Sequence, residues 1–485
     1  MGTHNQHPSQ HPNQQPNESQ QEAKSVSCPA LFLAAPASGQ GKTTVTAALA
    51  RHFKNQGKSV RVFKTGPDYL DPQILQQASG HRVESLDMWM AGEAWCRQKL
   101  YEAAHSADLI LIEGVMGLFD GDPSSADLAA KFGIPVMLVM DVKGMAQTAG
   151  AVVSGLANQR DDFSVIGLIG NKCGSMRHAE LIIEGLPKDI PLVATLARDD
   201  DVALPERHLG LVQASEVFDE LEQRFETGAK KLAAAGLDNM AEEWLKPVNF
   251  YPAAPETLKN IEVAPLLAGV KIGIAQDLAF SFIYQSNVSL LLQMGASIHY
   301  FSPLADEAMP QVDALWLPGG YPELHAQALS ENTSMVQSIQ QFFNDDKPIL
   351  AECGGLLYCL QSLTDLNENT YPMLGILDGQ GSMSGKRGCQ GMQTAQLPEG
   401  DVRAHAHHRS RSFDTPTPIA FGRRQKHPAP GEAIYRCRSL TASYLHLFFP
   451  SNGQALARLF KNDLAPVLAP IDGSELIGEE MSNVL

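Results

Sequence analysis

The chain reads as an α/β protein of two doubly wound domains, and three observations predict it. Short apolar runs alternate with amphipathic stretches from Leu31 to about Phe218, and the alternation starts again at Val270. Apolar runs separated by helical segments are the pattern of a buried parallel sheet covered by helices. Each half also carries a glycine-bearing turn at a strand-to-helix junction, Pro36–Thr44 in the first and Glu352-Cys353-Gly354-Gly355 in the second. The length of 485 residues accommodates two or three cores, at about 100–200 residues each.

Taken in order, residues 1–27 are rich in Gln, His, Asn, Pro and Ser. With almost no large apolar residue they cannot offset ordering entropy, so a disordered tail is expected. His4, His7 and His11 invite a metal-site reading, but a solvated low-complexity tail accounts for them better. The first domain is expected over 28–224. Leu31–Ala35 reads as a strand, Thr43 to about Phe53 as a helix, and Ser59–Lys64 as a second strand. Leu109–Ile112, Val136–Met140, Val165–Ile169 and Val193–Leu196 are further apolar runs. From 225 to 268 an Ala-Lys-rich stretch gives way to Pro247, Pro252, Pro255 and Pro265, which predicts a partly helical linker. The second domain is expected over 269–462, with strands at Val270–Ala275, Ser297–Phe301, Ala314–Leu317 and Ile349–Ala351. Residues 463–485 form an acidic tail.

A formal net charge of −17 argues against sequence-independent nucleic-acid binding, since no general positive field faces phosphates. Seven cysteines, an odd number without a CxxC pair, fit neither a disulfide framework nor a structural zinc site. No apolar run reaches the ~18 residues of a membrane span. The N-terminus lacks the apolar core of a secretion signal. A cytoplasmic protein working on neither membrane nor nucleic acid is the expectation.

Gly39, Gly41, Lys42, Thr43 and Thr44 lie between a strand and a helix. Glycines let successive N–H groups turn toward a phosphate, and the helix N-terminus favours the anion. The lysine balances phosphate charge, and Thr43 is the candidate Mg²⁺ ligand. Pro36 stands where the usual motif has its first glycine, yet the context predicts an ATP site over an incidental Gly-rich turn. Glu113 closes the run Leu109–Ile112, and Asp68 and Asp71 follow the second strand. Each acid alone suits a cap or turn. Together, at strand ends beside a phosphate loop, they suit metal and substrate. Asn171, after the strand Val165–Ile169, is a candidate for holding the nucleotide base.

Cys353 sits at a strand–sharp turn–helix junction, the geometry of a nucleophile elbow. A helix N-terminus lowers a thiol pKa from ~8.5, and an imidazole can take its proton. His446 is the candidate base. Gly354, and Gly320 in the turn Pro318-Gly319-Gly320-Tyr321, are candidate oxyanion donors through their N–H groups. A Cys–His pair alone also admits a protease. His405, His407 and His408 match no common zinc spacing and suggest a polar edge near a ligand.

Taken together, Pro36–Thr44, Lys64–Pro72, Glu113–Gly121, Arg207–Leu211, Asp277–Phe280, Pro318–Tyr321, Ala351–Gly355 and Ser443–His446 resemble the cobyrinic acid a,c-diamide synthase family, from about Ala30 to Pro450. The resemblance implies a first domain similar to dethiobiotin synthetase that binds MgATP. It implies a second domain like class I glutamine amidotransferases of the cobyrinic/cobyric type. L-Glutamine would be hydrolysed at Cys353 through a thioester with His446 as base. Ammonia would then displace phosphate from activated a and c carboxylates of a corrin, in cobalamin biosynthesis. Asp68, Asp71 and Glu113 match family positions tied to metal and acyl-phosphate steps, and Tyr69 and Leu70 lie in the stretch that senses the corrin carboxylate. Phe448 stands two residues past His446, where other class I members carry the third acid, so a Cys–His dyad is implied. The family's Gly-His-Glu-Phe-His reads Ala404-His405-Ala406-His407-His408 here, which leaves that segment's role open. Rival readings are cobyric acid synthase, the same reaction on hydrogenobyrinic acid, a partitioning-type ATPase switch, and a degenerate amidotransferase that only binds a partner. Oligomeric state is open, a monomer being compatible.

Overall fold

The computed structural model describes residues 25–204, 217–254, 257, 264–383 and 390–466. The tail before residue 25, the Arg207–Leu211 motif and the residues after 466 lie outside them.

The first domain is an eight-stranded sheet. Val26–Ala34 (β1), Val60–Thr65 (β2), Glu84–Leu86 (β3), Leu109–Glu113 (β4), Val136–Asp141 (β5), Val165–Asn171 (β6) and Leu192–Leu196 (β7) run in the order β3-β2-β4-β1-β5-β6-β7. All of these neighbours are parallel. β4 is buried at every residue, as a strand covered on both faces must be. Alternation along β1 sends Phe32 and Ala34 into one core and Leu31 and Leu33 into the other.

The expected linker belongs to this domain. A helix spans Phe218–Ala234, straight across the 224/225 boundary. Its Leu221, Phe225 and Leu232 pack in the core of Val45, Leu49 and Phe53, while Glu222 and Glu226 clasp Arg51 at 2.7 and 3.0 Å. Pro247–Phe250 (β8) then pairs antiparallel with the first residues of β1. The strand β1 accordingly begins at Val26, inside the stretch assigned to the tail. Pro247 opens a short strand, where a missing N–H is tolerated.

The second domain holds Lys271–Ala275 (β9), Ser297–Phe301 (β10), Ala314–Leu317 (β11), Ile349–Glu352 (β12), Ser362–Thr364 (β13), Thr370–Pro372 (β14), Gln380–Met383 (β15), Gln390–Leu397 (β16), Gly400–His407 (β17), Ser410–Phe413 (β18), Ala420–Arg424 (β19), Pro430–Cys437 (β20), Leu440–Ser443 (β21) and His446–Leu447 (β22). Ten of them form one sheet, β10-β9-β11-β12-β21-β20-β19-β16-β17-β22, and four form a small one, β14-β13-β15-β18. The large sheet is parallel from β10 to β21 and antiparallel beyond. It is doubly wound in its first half only. Long antiparallel pairs such as β16–β17 close by tight turns and need no crossover helix.

The domains pack on each other through aromatic rings. Tyr69 stacks on Phe282 with centroids 5.1 Å apart, Trp95 meets Phe448 edge-on, and Arg403 lies over Trp89. Tyr284 and Phe448 are buried in the first domain's core cluster. Among the described residues no helix is long and apolar enough to cross a membrane.

Candidate active site

The seven parallel strands of the first sheet end at one edge, and the loops beyond that edge build a cavity of about 720 Å³. Gly39, Gly41, Lys42, Thr43, Thr44, Asp68, Leu70, Asp71, Glu113 and Asn171 all line it. The residues that the sequence nominates for nucleotide and metal therefore converge. Gly41 caps the helix Lys42–Asn55 in the left-handed region (φ 86°), where a side chain is strained. A Cβ there would lie 2.1 Å from Asn171 Nδ2. That amide donates to Gln40 O at 2.9 Å, so Asn171 clamps the loop from beneath. Its amide nitrogen is engaged with backbone while its side chain lines the cavity.

Lys42 Nζ donates to Met116 O at 2.6 Å, and burial lowers its pKa to about 8. Thr43 Oγ1 lies 3.0 Å from Asp71 Oδ2 and 2.9 Å from Glu113 Oε1. At the centre is Lys64, which the sequence reading did not single out. Its ammonium is buried and sits 2.6 Å from Glu113, 2.7 Å from Asp71 and 3.6 Å from Asp68. Burial disfavours the charge, but Asp71, Glu113 and Asp68 more than reverse that and hold it well above the usual lysine range. No local signal marks it: Lys64 lies on β2 directly opposite Glu113 of β4, a register that only the folded sheet reveals. Asp68 caps the next turn, its Oδ1 accepting the N–H groups of Leu70 and Asp71 at 3.0 and 3.1 Å. Burial and the neighbouring Asp71 raise its carboxyl to about 7, although 27% of its side chain meets the cleft. Burial opposes ionisation of Asp71 too, but the Lys64 charge and hydrogen bonds lower its pKa overall.

The donor set fits Mg²⁺. It is all oxygen, as a hard cation requires, and Glu113 Oε2 is buried with no hydrogen-bond partner. Among the described residues no three His, Cys, Asp or Glu side chains converge as a self-sufficient metal cage. Mg²⁺ on a nucleotide needs none, because phosphates and waters complete its shell.

A second cavity, of about 420 Å³, lies where the domains meet. Cys353, Gly320, Tyr321, Glu323, His408, Arg409 and Tyr69 are among its walls, and Asp68 and Leu70 line it as well as the first cavity. Cys353 stands between β12 and the helix Gly354–Cys359 with φ 49° and ψ −101°, a strained conformation that lifts the nucleophile out of the strand. Its N–H is anchored to Ser443 O at 2.8 Å. Gly320 and Gly354 come together as expected: a Cβ on Gly354 would lie 2.9 Å from Gly320 N. Gly354 is the first residue of its helix, so its N–H has no intrahelical acceptor.

His446 is buried behind the Gly319 turn, and a Cβ on Gly319 would strike its ring. Cys353 and His446 are brought to one glycine turn but not into a hydrogen bond: both imidazole nitrogens are buried without a partner. Burial first, then His405, His408 and His407, hold its pKa well below the usual value, so the ring is neutral, as a base must be. Tyr69 covers it with centroids 4.7 Å apart, and the Tyr284 hydroxyl holds the Tyr69 hydroxyl at 3.0 Å. Glu352, also unnominated, braces both catalytic strands. It precedes Cys353 on β12, and its carboxylate accepts Leu447 N–H on β22 at 2.9 Å and Trp316 Nε1–H at 3.0 Å.

The histidine cluster divides. His405 lies opposite His446 in the β17–β22 ladder, and burial lowers its pKa to about 3. His408 is stacked on Tyr444 and bonded to Glu432 at 3.0 Å, and both His407 and His408 line the Cys353 cavity.

Comparison with known proteins agrees with this layout. Residues 31–212 match the model of the CobQ/CobB/MinD/ParA nucleotide binding domain, and 271–454 that of the CobB/CobQ-like glutamine amidotransferase domain. Hydrogenobyrinate a,c-diamide synthase of Stutzerimonas stutzeri (strain A1501) is 50% identical over 90% of this chain and 99% of that protein. The Pseudomonas aeruginosa protein of the same name is 48% identical over 89% of this chain and 97% of its own. Cobyrinate a,c-diamide synthase of Herminiimonas arsenicoxydans is 46% identical over 88% and 95%. With a nucleotide cavity and a cysteine cavity sharing a wall, and full-length likeness to these enzymes, the chain belongs to the cobyrinate/hydrogenobyrinate a,c-diamide synthase family.

Proposed function

We propose that the protein amidates the a and c carboxylates of a cobyrinic-acid-type corrin, using ATP to activate each carboxylate and glutamine as nitrogen source. The observation that carries this reading is the shared wall: Asp68 and Leu70 border both cavities, so ammonia released at Cys353 has one partition to cross.

In the glutaminase half, His446 takes the Cys353 proton as sulfur attacks the side-chain amide carbon. The N–H groups of Gly320 and Gly354 stabilise the oxyanion. Ammonia leaves, and water then hydrolyses the thioester to glutamate. In the synthetase half, the corrin carboxylate attacks the ATP γ-phosphorus, giving an acyl phosphate and ADP. Ammonia attacks the acyl carbon, phosphate leaves, and the amide forms with loss of a proton. Gly39, Gly41, Lys42 and Thr44 hold the phosphates. Thr43, Asp68 and Glu113 would hold Mg²⁺, which when bound neutralises charge on the transferring phosphoryl group. Lys64 balances the same carboxylates, and Tyr69, Leu70 and Asp71 face the substrate carboxylate.

The test is mass spectrometry of cobyrinic acid incubated with the protein, MgATP and glutamine, with hydrogenobyrinic acid in parallel. A diamide is expected, and the ring that yields it identifies the substrate. Cys353→Ala should abolish glutamine-dependent product and keep product made with ammonium. No product from either ring would overturn the proposal.

A further inference from the structure

The cavity around Cys353 contains a carboxylate that the chemistry above does not use. Glu323 lies in the short turn Pro322–Leu324, just after the Gly319-Gly320 turn. It is 8% exposed and lines the cavity together with Cys353 and Arg409. Among the described residues it has no ion pair, and its hydrogen bond comes from its own backbone N–H. A buried carboxylate without a cation is costly, so this one invites a partner from outside the protein.

Its position is at odds with a bare thiolate nucleophile. After burial, the Glu323 charge is the chief influence that raises the Cys353 thiol above its ordinary value. The Glu323 carboxyl is itself raised to about 7 by burial. The other ionisable groups on the cavity wall are Asp68, Tyr69, Tyr321, His407, His408 and Arg409. His408 is already bonded to Glu432. A ligand that brings its own cation beside Glu323 removes the conflict, and a free amino acid does so.

Resting on the reading of this cavity as the glutamine site, we propose that Glu323 binds the α-ammonium of glutamine and Arg409 its α-carboxylate, so that the substrate itself relieves the negative charge facing Cys353. The pair selects the zwitterionic amino acid over other primary amides. In the empty cavity burial, reinforced by the Glu323 charge, keeps the sulfur protonated and guards it against adventitious alkylation.

The experiment compares amide hydrolysis of glutamine and of glutaramate, which lacks the α-amino group, by the full-length protein and by Glu323→Gln and Glu323→Asp. The wild type should favour glutamine in kcat/KM by about 10²-fold or more, because a site built for a polar group rejects the analogue without it. Glu323→Gln should bring the two amides within about threefold of each other, mainly through loss of glutamine turnover. Glu323→Asp should restore part of the preference. Iodoacetamide should alkylate Cys353 of Glu323→Gln faster at pH 7, without substrate, than that of the wild type. Retention of the full glutamine preference in Glu323→Gln, with both rates reduced equally, would reduce Glu323 to a structural residue and overturn the inference. A wild type using both amides equally well would do the same, and one hydrolysing neither would overturn the glutamine reading with it.

Discussion

Lys42 shows how a single side chain carries both a cost and a purpose. Burial lowers its pKa to about 8 in the free protein, yet pairing with phosphate requires the protonated form. Nucleotide binding is therefore accompanied by proton uptake above pH 8. ATP affinity should be level below about pH 8 and fall about tenfold for each further pH unit, as measured by calorimetry at constant ionic strength. An affinity independent of pH up to 10 would mean that Lys42 does not contact the phosphates. Lys42 was legible in the sequence because its neighbours are glycines with a local conformational task. Lys64, Glu323 and Glu352 were not, since each acts through a partner distant in the chain: Glu113 lies 49 residues from Lys64 and Leu447 lies 95 from Glu352.

Among the described elements, the turn Pro67–Leu70 is the one that touches both sites. Its Asp68 lines both cavities, and its Tyr69 lies against His446. An imidazole packed under an aromatic ring, with neither nitrogen bonded, is held back from the thiol. Tyr69→Ala is expected to raise glutamine hydrolysis without ATP and corrin several-fold while lowering the yield of amide per glutamine consumed. The ratio of glutamate to amide formed measures this, and an unchanged ratio would show that the ring only fills space. Most of the parallel strands were foreseen to within a residue or two because they are apolar runs buried on both faces, but β1 begins five residues before the expected Leu31 and the short β3 and β21 were not read. The strands from β13 onward, most of them in antiparallel pairs, were not foreseen. Some of their buried residues, such as Gln393, Thr394 and His405, are polar, and others, such as Ala404 and Ala406, are small, which weakens the apolar alternation.

On the scale of the whole molecule, the stretch after residue 224 changes its meaning. Phe225 is 2% exposed and packs among the helix Lys42–Asn55 and the sheet. Phe225→Ala should destabilise the first domain by about 3–5 kcal/mol, read as a lowered urea midpoint. A change below about 0.5 kcal/mol would restore a linker. The segment binds the back of the nucleotide domain through Arg51, Glu222 and Glu226, opposite in sequence but adjacent in space.

Local chemistry was enough to name the two glycine turns, the lysine and threonine of the phosphate loop, the cysteine at its elbow and the parallel strands that feed them. Each depends on residues within a few positions of one another, so backbone conformation and strand burial leave a contiguous mark. The common wall at Asp68 and Leu70, the ammonium of Lys64 among three acids, the Glu352 brace between β12 and β22, and the seclusion of His446 under Tyr69 join residues from separate strands or separate domains. These arise only when each sheet assembles and the two domains close on each other, because long-range packing and electrostatics have no fixed spacing along a chain.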